Sequence, residues 1–462
     1  REVERAVEAA GIPDLESRRT GDGLLLRRTA GPEGSAPWTH EAGGPHNGFS
    51  NADETAAPPF GMLWFGGSID RLWPGWDYTH SRPPRPLVCR GRMFFLISNR
   101  VCAADIYTGR VLWTNKLPAS EKYKLFRREH FVGRRNTADN YIASPDSLYI
   151  MRDSSCLRLD PETGDKTGEI ATPPAVRDGS GEGAIRWHEA RLRGDALLVS
   201  MGNKLVCMNG KSGALQWCLA AERDRLRFAV GDDRVFAADY WLPRRARRGE
   251  KDSSTCTLKA VDLQTGAVVW SRTAQMPPAE ANAPGSGWLR NMVSPLQPYL
   301  SYCPNRGAVL LSTGYSIAGA YDAGDGNRLW REKEGIPISR GRPPVVFRDS
   351  FVTRSGRVYD IRSGQKAADR LWSGLRACNR AIANRSALFV RDGLAMACEP
   401  DTGRRTYFMS VRSGCTNNLI PADGMLAAPN FSVGCACNYP VITSFGAAHM
   451  PEAGTWRRAA RK

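Results

Sequence analysis

The sequence predicts an all-β protein: an eight-bladed β-propeller of four-stranded antiparallel blades, preceded by a short α/β remnant. Three observations predict it. A turn signature recurs seven times, an aromatic residue stands four positions after most copies, and two leftover β-rich stretches near the chain ends make one further unit. The signature is an acidic or amide residue followed three and four positions later by a small polar residue and glycine. Its copies are Asp105-Thr108-Gly109-Trp113, Asp160-Thr163-Gly164, Asn209-Ser212-Gly213-Trp217, Asp262-Thr265-Gly266-Trp270, Asp322-Asp325-Gly326-Trp330, Asp360-Ser363-Gly364 and Glu399-Thr402-Gly403-Tyr407. Gly168 and Ala368 stand where two copies should have the aromatic. The side-chain oxygens cap turn N–H groups and glycine supplies positive φ, so each copy reads as a tight turn that hands the chain to a strand carrying the ring. Successive turn glycines lie 38 to 60 residues apart, the period of radially arranged sheets that must bury their faces against one another.

Taken in order, residues 2–10 have helical spacing, Gly11 suits a helix stop, and 14–19 and 24–28 read as two strands around Thr20-Gly21-Asp22-Gly23. Residues 1–30 are therefore a helix–strand–strand fragment. Residues 31–57 read as a linker and lead-in segment, 58–451 as the propeller and 452–462 as a basic tail. Each signature follows a β-rich run, such as 92–104 or 195–208. The run 61–67 (GMLWFGG) has no neighbour to pair with, whereas 415–450 supplies about three strands and no turn copy. Joining them lets an N-terminal strand close the ring and removes the open edges a linear stack would leave. Trp113, Trp217, Trp270 and Trp330 are then expected at equivalent places between adjacent blades, each largely buried.

A chain of 462 residues would ordinarily suggest about three domains, but one toroid absorbs that length. No apolar run approaches the roughly 18 residues of a membrane span. The chain starts at Arg1 with no basic-then-apolar leader, so the expectation is that an upstream segment or signal has been removed. Net charge is +17, mostly from arginine, yet the basic residues are scattered and lack interleaved stacking aromatics. That argues against nucleic acid and for a protein or anionic small-molecule partner.

Catalytic signals are thin. Gly179-Ser180-Gly181-Glu182-Gly183 imitates a dinucleotide loop but follows TPPAVRD rather than a strand, and reads as an inter-blade loop. His40, His46, His80, His130, His188 and His449 show no metal spacing, and there is no Gly-x-Ser-x-Gly elbow. Eight cysteines (Cys89, Cys102, Cys156, Cys207, Cys218, Cys256, Cys303, Cys398) are dispersed and read as small buried thiols. Cys378, Cys415, Cys435 and Cys437 fall where strands of the last two units begin, at one end of a meander. Disulfides, a tetrahedral thiolate metal site and unlinked thiols all remain open for them.

The copies AADIYTGRVLW (103–113) and KAVDLQTGAVVW (259–270) resemble the tryptophan-docking repeat of the pyrroloquinoline quinone (PQQ)-like propellers. WTHEAGGPHNGFSNADE (38–54), LWFGG (63–67), SRPPRPL (81–87), RSGCTNNLIPADGMLAAPNF (412–431) and CACNYP (435–440) resemble a planctomycete-type subgroup often fused behind a class I S-adenosylmethionine methyltransferase. Residues 2–30 are similar to the last helix and strand pair of such a domain. The resemblance implies a non-catalytic binding or assembly module, the C-terminal part of a longer methyltransferase protein. Quinoprotein dehydrogenases of the superfamily have a vicinal disulfide, a calcium and a catalytic aspartate. No two cysteines are adjacent here and no C-x-x-C-H is present, so no cofactor is expected. A PQQ- and calcium-dependent oxidoreductase is the alternative, and a substrate-selecting domain for the methyltransferase is the third reading.

Overall fold

The computed structural model describes residues 2–11, 15–21, 23–28, 31–72, 85–97, 100–117, 141–152, 154–177, 185–242, 254–277, 297–313, 316–338, 343–372, 380–409, 411, 419–429 and 443–453. Seven four-stranded antiparallel meanders follow one another at 87–116, 141–171, 187–220, 225–275, 299–337, 345–368 and 382–408. First strands of neighbouring meanders adjoin, which places them innermost. The eighth sheet combines Ile420–Ala422, Met425–Ala428 and Phe445–His449 with Phe60–Phe65 as its outer strand. The run at 61–67 thus closes the ring against the C-terminal strands, and the molecule is an eight-bladed β-propeller. Ahead of it lie the helix Glu2–Ala9 and the hairpin Leu15–Thr20/Gly23–Arg28, linked by a two-pronged Arg19–Glu4 pair at 2.8 Å.

Burial follows strand position. Inner and middle strands are covered on both faces, so a middle strand such as Ala196–Met201 (ALLVSM) is nearly all apolar, and its one polar side chain, Ser200, is buried and donates to the Leu226 carbonyl. The outer strand Val111–Lys116 instead alternates half-buried and exposed residues. At the third-to-fourth strand hairpin the Asp105 carboxylate accepts from the N–H groups of Tyr107 and Thr108 and from the Thr108 hydroxyl, at 2.8–3.0 Å. Asn209, Asp262 and Asp360 cap their turns in the same way.

A β-bulge follows these turns in six blades. Ala103 pairs with Trp113 but Ala104 with Val111, so Leu112 is squeezed out and the next side chain is re-aimed. Blades 2 to 6 shift register at the same place. The outer strand of blade 8 has its own shift between Met62 and Trp64. Blade 7 pairs without a shift from Arg404 to Phe408, and its Tyr407 is 40% exposed.

The bulge delivers each ring onto the next blade. Trp113, Trp217, Trp270 and Trp330 donate their indole N–H to the carbonyls of Pro161, Leu263, Ala323 and Ile361, each the residue after the turn acid of the following blade. They cover Gly164, Gly266, Gly326 and Gly364, where an added Cβ would lie 2.5–2.6 Å from the ring or, at Gly164, equally close to Asn115. The four positions are equivalent, but their burial is not. Trp217 and Trp270 are buried, whereas Trp113 and Trp330 are half-buried.

A fifth ring makes the same joint. Trp64, on the closing strand, donates to the Ile106 carbonyl at 2.8 Å and covers Gly109. Three joints lack it. Ile170 meets Gly213 between blades 2 and 3, nothing lies within 4 Å of a Cβ at Gly403, and blade 8 has no turn copy for Tyr407 to cover. Trp372 turns back instead onto Gly356 and the Arg354 carbonyl of its own blade.

Candidate functional site

Eight inner strands bring eight sheet edges to the axis, and an edge N–H buried there needs an acceptor. Residues 36–53 supply acceptors to all of them. The Val88 and Ala143 N–H groups of blades 1 and 2 donate to the carbonyls of Trp38 and Thr39 at 2.9 and 3.0 Å. In blade 3 the Leu192 N–H donates to His40 Nε2 at 3.1 Å. Val230 and Tyr302 of blades 4 and 5 donate to Pro45 and His46, and Val346 and Ala383 of blades 6 and 7 to Gly48 and Phe49, at 2.8–3.0 Å. The Asp423 N–H of blade 8 donates to Ala36 at 3.0 Å. Composition read 31–57 as linker and lead-in; 36–53 is a strap that circles the axis once.

The strap anchors itself with polar and aromatic side chains. Asn47, at φ 60°, donates to the carbonyls of Phe228 and Leu300 and accepts from Arg191 Nε at 2.7 Å. Phe49 is held at φ 54° with its ring stacked 6.1 Å from Tyr299 and the Arg380 guanidinium 3.9 Å from its centroid. Buried Arg85 lies over Trp38 and Phe49 and pairs with Glu41, bonding its carbonyl and approaching its carboxylate at 3.3 Å. Asp53 gathers the ends of the circuit: one oxygen accepts from the N–H groups of Ala36 and Gly424, the other from those of Thr55 and Ala56. Gly43 must be glycine, since its φ is 90° and a Cβ would collide with the Ser50 carbonyl.

Burial dominates the electrostatics. It holds His40 well below the usual imidazole range, with Arg191 adding to the effect, so Nε2 stays an acceptor for Leu192. His46 is lowered to about 4 by burial and by Arg193. Burial raises the Glu41 carboxyl against the opposing pull of Arg85, and pushes Asp423 up to about 6 with Asp53 contributing. In blade 3, buried Glu189 accepts from Arg227 at 3.1 Å and from the Phe228 N–H at 2.9 Å.

Of the other candidates, His188 sits at the bulge of the blade 3 inner strand, lowered to about 3 by burial and by Arg225 and Arg227. His449 meets the Ala57 carbonyl at 2.9 Å. His80, His130, the 179–183 run and all of Cys378, Cys415, Cys435 and Cys437 lie outside the described residues. Seven of the eight dispersed cysteines are buried, and burial raises the thiols of Cys89, Cys207 and Cys256 to about 12. Cys218 departs from the buried expectation because it faces outward on the fourth strand of blade 3.

Among the described residues no group of three or more His, Cys, Asp or Glu could hold a metal. The axial set does not fit calcium, which takes six to eight oxygens: Glu41 and Glu189 already face guanidinium groups. Sequence reasoning missed Glu41, Asn47, Asp53, Arg85 and Arg191, whose partners lie far away in the chain and leave no repeated spacing.

Comparison with known proteins agrees with the fold. The family model of the outer membrane protein assembly factor BamB matches residues 152–296. No curated protein matches the sequence. The quinohemoprotein alcohol dehydrogenase of Comamonas testosteroni is similar in structure, at TM-score 0.56 and 11% identity over 89% of this chain and 80% of that one. A europium-containing methanol dehydrogenase gives 0.51 and 10% over 89% and 98%. BamB from Moraxella catarrhalis gives 0.47 and 14% over 84% and 99%. At these identities the likeness concerns the fold alone: the chain is an eight-bladed β-propeller, and the family match is confined to residues 152–296.

Proposed function

We propose that this chain is a non-catalytic binding or assembly module, needing no cofactor, and that it forms the C-terminal part of a methyltransferase–propeller protein of the planctomycete-type subgroup its sequence resembles. The observation that carries the reading is the use of the axial polar groups. Glu41, Arg85, Asn47 and Arg191 hold the chain's own strap, an arrangement that positions backbone rather than a substrate. The match to a family named for an assembly factor supports the same reading. With a net charge of +17, the partner is a protein or an anionic small molecule. No helix among the described residues is long and apolar enough to cross a membrane.

Reconstitution with PQQ and calcium tests this directly. A binding module shows neither a quinone absorbance band after gel filtration nor alcohol-dependent dye reduction. A stoichiometric band with dye reduction would make the chain an oxidoreductase instead. The upstream coding sequence tests the fusion: a SAM-binding glycine loop is expected, and a secretion signal in its place would overturn it.

A further inference from the structure

We propose that the eight inner-strand edges form a circular receptor for one extended polypeptide, and that residues 36–53 are its tethered ligand, the template that sets the ring at eight blades and holds it closed. Order is the first argument. Reading along the strap, the acceptors of the inner N–H groups at residues 36, 38, 39, 40, 45, 46, 48 and 49 serve blades 8, 1, 2, 3, 4, 5, 6 and 7 in that order, with no blade skipped.

Closure is the second. The strap returns to blade 8, where Asn51 Nδ2 donates to the carbonyls of Ala36, Pro37 and Pro421 at 2.8–3.2 Å, and one Asp53 oxygen bridges Ala36 and Gly424 at 3.0 Å. The circuit is therefore pinned shut at the sheet that also receives the closing strand Phe60–Phe65. The third is the lack of slack. Four blades in succession, 4 to 7, are bonded within residues 45–49, so a ring with one blade more or fewer would leave an edge N–H or a strap carbonyl without a partner. The joints between blades 2 and 3, 6 and 7, and 7 and 8 draw on it most, since they have no docking tryptophan.

Native-state hydrogen exchange on full-length Asn47→Ala decides between template and filler. As a template, the strap opens as a unit. The amides of Val88, Ala143, Val230, Tyr302, Val346 and Ala383, together with those pairing residues 60–65 and 445–449, then accelerate by one common factor of at least about tenfold. Acceleration confined to blades 3 to 5, which Asn47 touches, would overturn the proposal. A second variant replaces 36–53 by an equal length of Gly and Ser in the full chain and adds a synthetic peptide of residues 34–56. Loss of protection at the closing strand, restored by the peptide along with the closed-ring scattering profile, is expected. A closed ring with a protected closing strand before any peptide is added would refute the template.

Discussion

The rim and the axis solve the same problem, joining eight sheets, by opposite means. At the rim one device is repeated: a bulge turns a ring onto the next blade's turn glycine and carbonyl, five times over. At the axis a single unrepeated segment meets eight partners through eight different residues. A repeated joint tolerates the loss of copies, and blades 2, 6 and 7 do without the ring. A unique strap has no spare copy, so its contacts are expected to fail together.

The largest effect should come from breaking a rim joint. Trp270→Ala removes a buried ring and its bond to Ala323, and should cost about 3–5 kcal/mol in denaturant unfolding. Tyr407→Ala, at an undocked joint, should cost under about 1 kcal/mol. Equal losses would mean that docking contributes nothing beyond the repeat itself.

Glycine substitutions sharpen the same contrast. Gly266 and Gly403 share a turn and a positive φ, but a Cβ at Gly266 would lie 2.6 Å from the Trp217 ring and one at Gly403 meets nothing within 4 Å. Gly403→Ala should cost about 1 kcal/mol from backbone strain, and Gly266→Ala at least about 3 kcal/mol once overpacking is added. Thermal midpoints that fall equally would show that the ring yields freely.

At the axis, Asn47→Ala removes two donated bonds and the acceptor of a buried arginine, an expected loss of about 2–3 kcal/mol. A cost below about 0.5 kcal/mol would show that the strap is loosely held.

The smallest effect depends on pH. Asp423 has its folded-state pKa raised to about 6 from 3.8, so the folded state holds the proton more tightly than the unfolded chain. Its carboxylate then destabilises above pH 6, and the penalty disappears as pH falls through 6 toward 3.8. Asp423→Asn suits the positive φ and keeps an acceptor for the Gly91 N–H. It should raise stability by about 1–2 kcal/mol at pH 7.5 and by almost nothing at pH 4. His46 acts with the opposite sign: lowered to about 4, it contributes stability above pH 6.5 that is lost as pH falls toward 4. A pH-independent effect of Asp423→Asn would refute the assignment.

The rim was legible because local rules write it. An Asp-x-x-Thr-Gly turn caps itself within five residues, and the ring follows at a fixed distance on the same hairpin, so strand number, blade number and the closing role of 61–67 can be read from spacing. Trp64 was visible only as part of an apolar run, because its turn glycine, Gly109, belongs to another hairpin 45 residues further along the chain. That Tyr407 stays exposed goes with the absence from blade 7 of a one-residue bulge, which the sequence pattern does not display.

What the sequence by itself determined is the repeated part: turns, strands, ring positions and the eight-unit count. Only the tertiary structure decided that residues 36–53 run around the axis, that Asn47 meets Phe228 and Leu300 from 181 and 253 residues away, and that Arg85 and Arg191 serve the strap. The reason is physical. A hairpin's partners lie beside it in the chain and impose a period, whereas an axis is a place made by closing the ring, and a segment bonded there takes one residue's worth of instruction from each of eight distant strands.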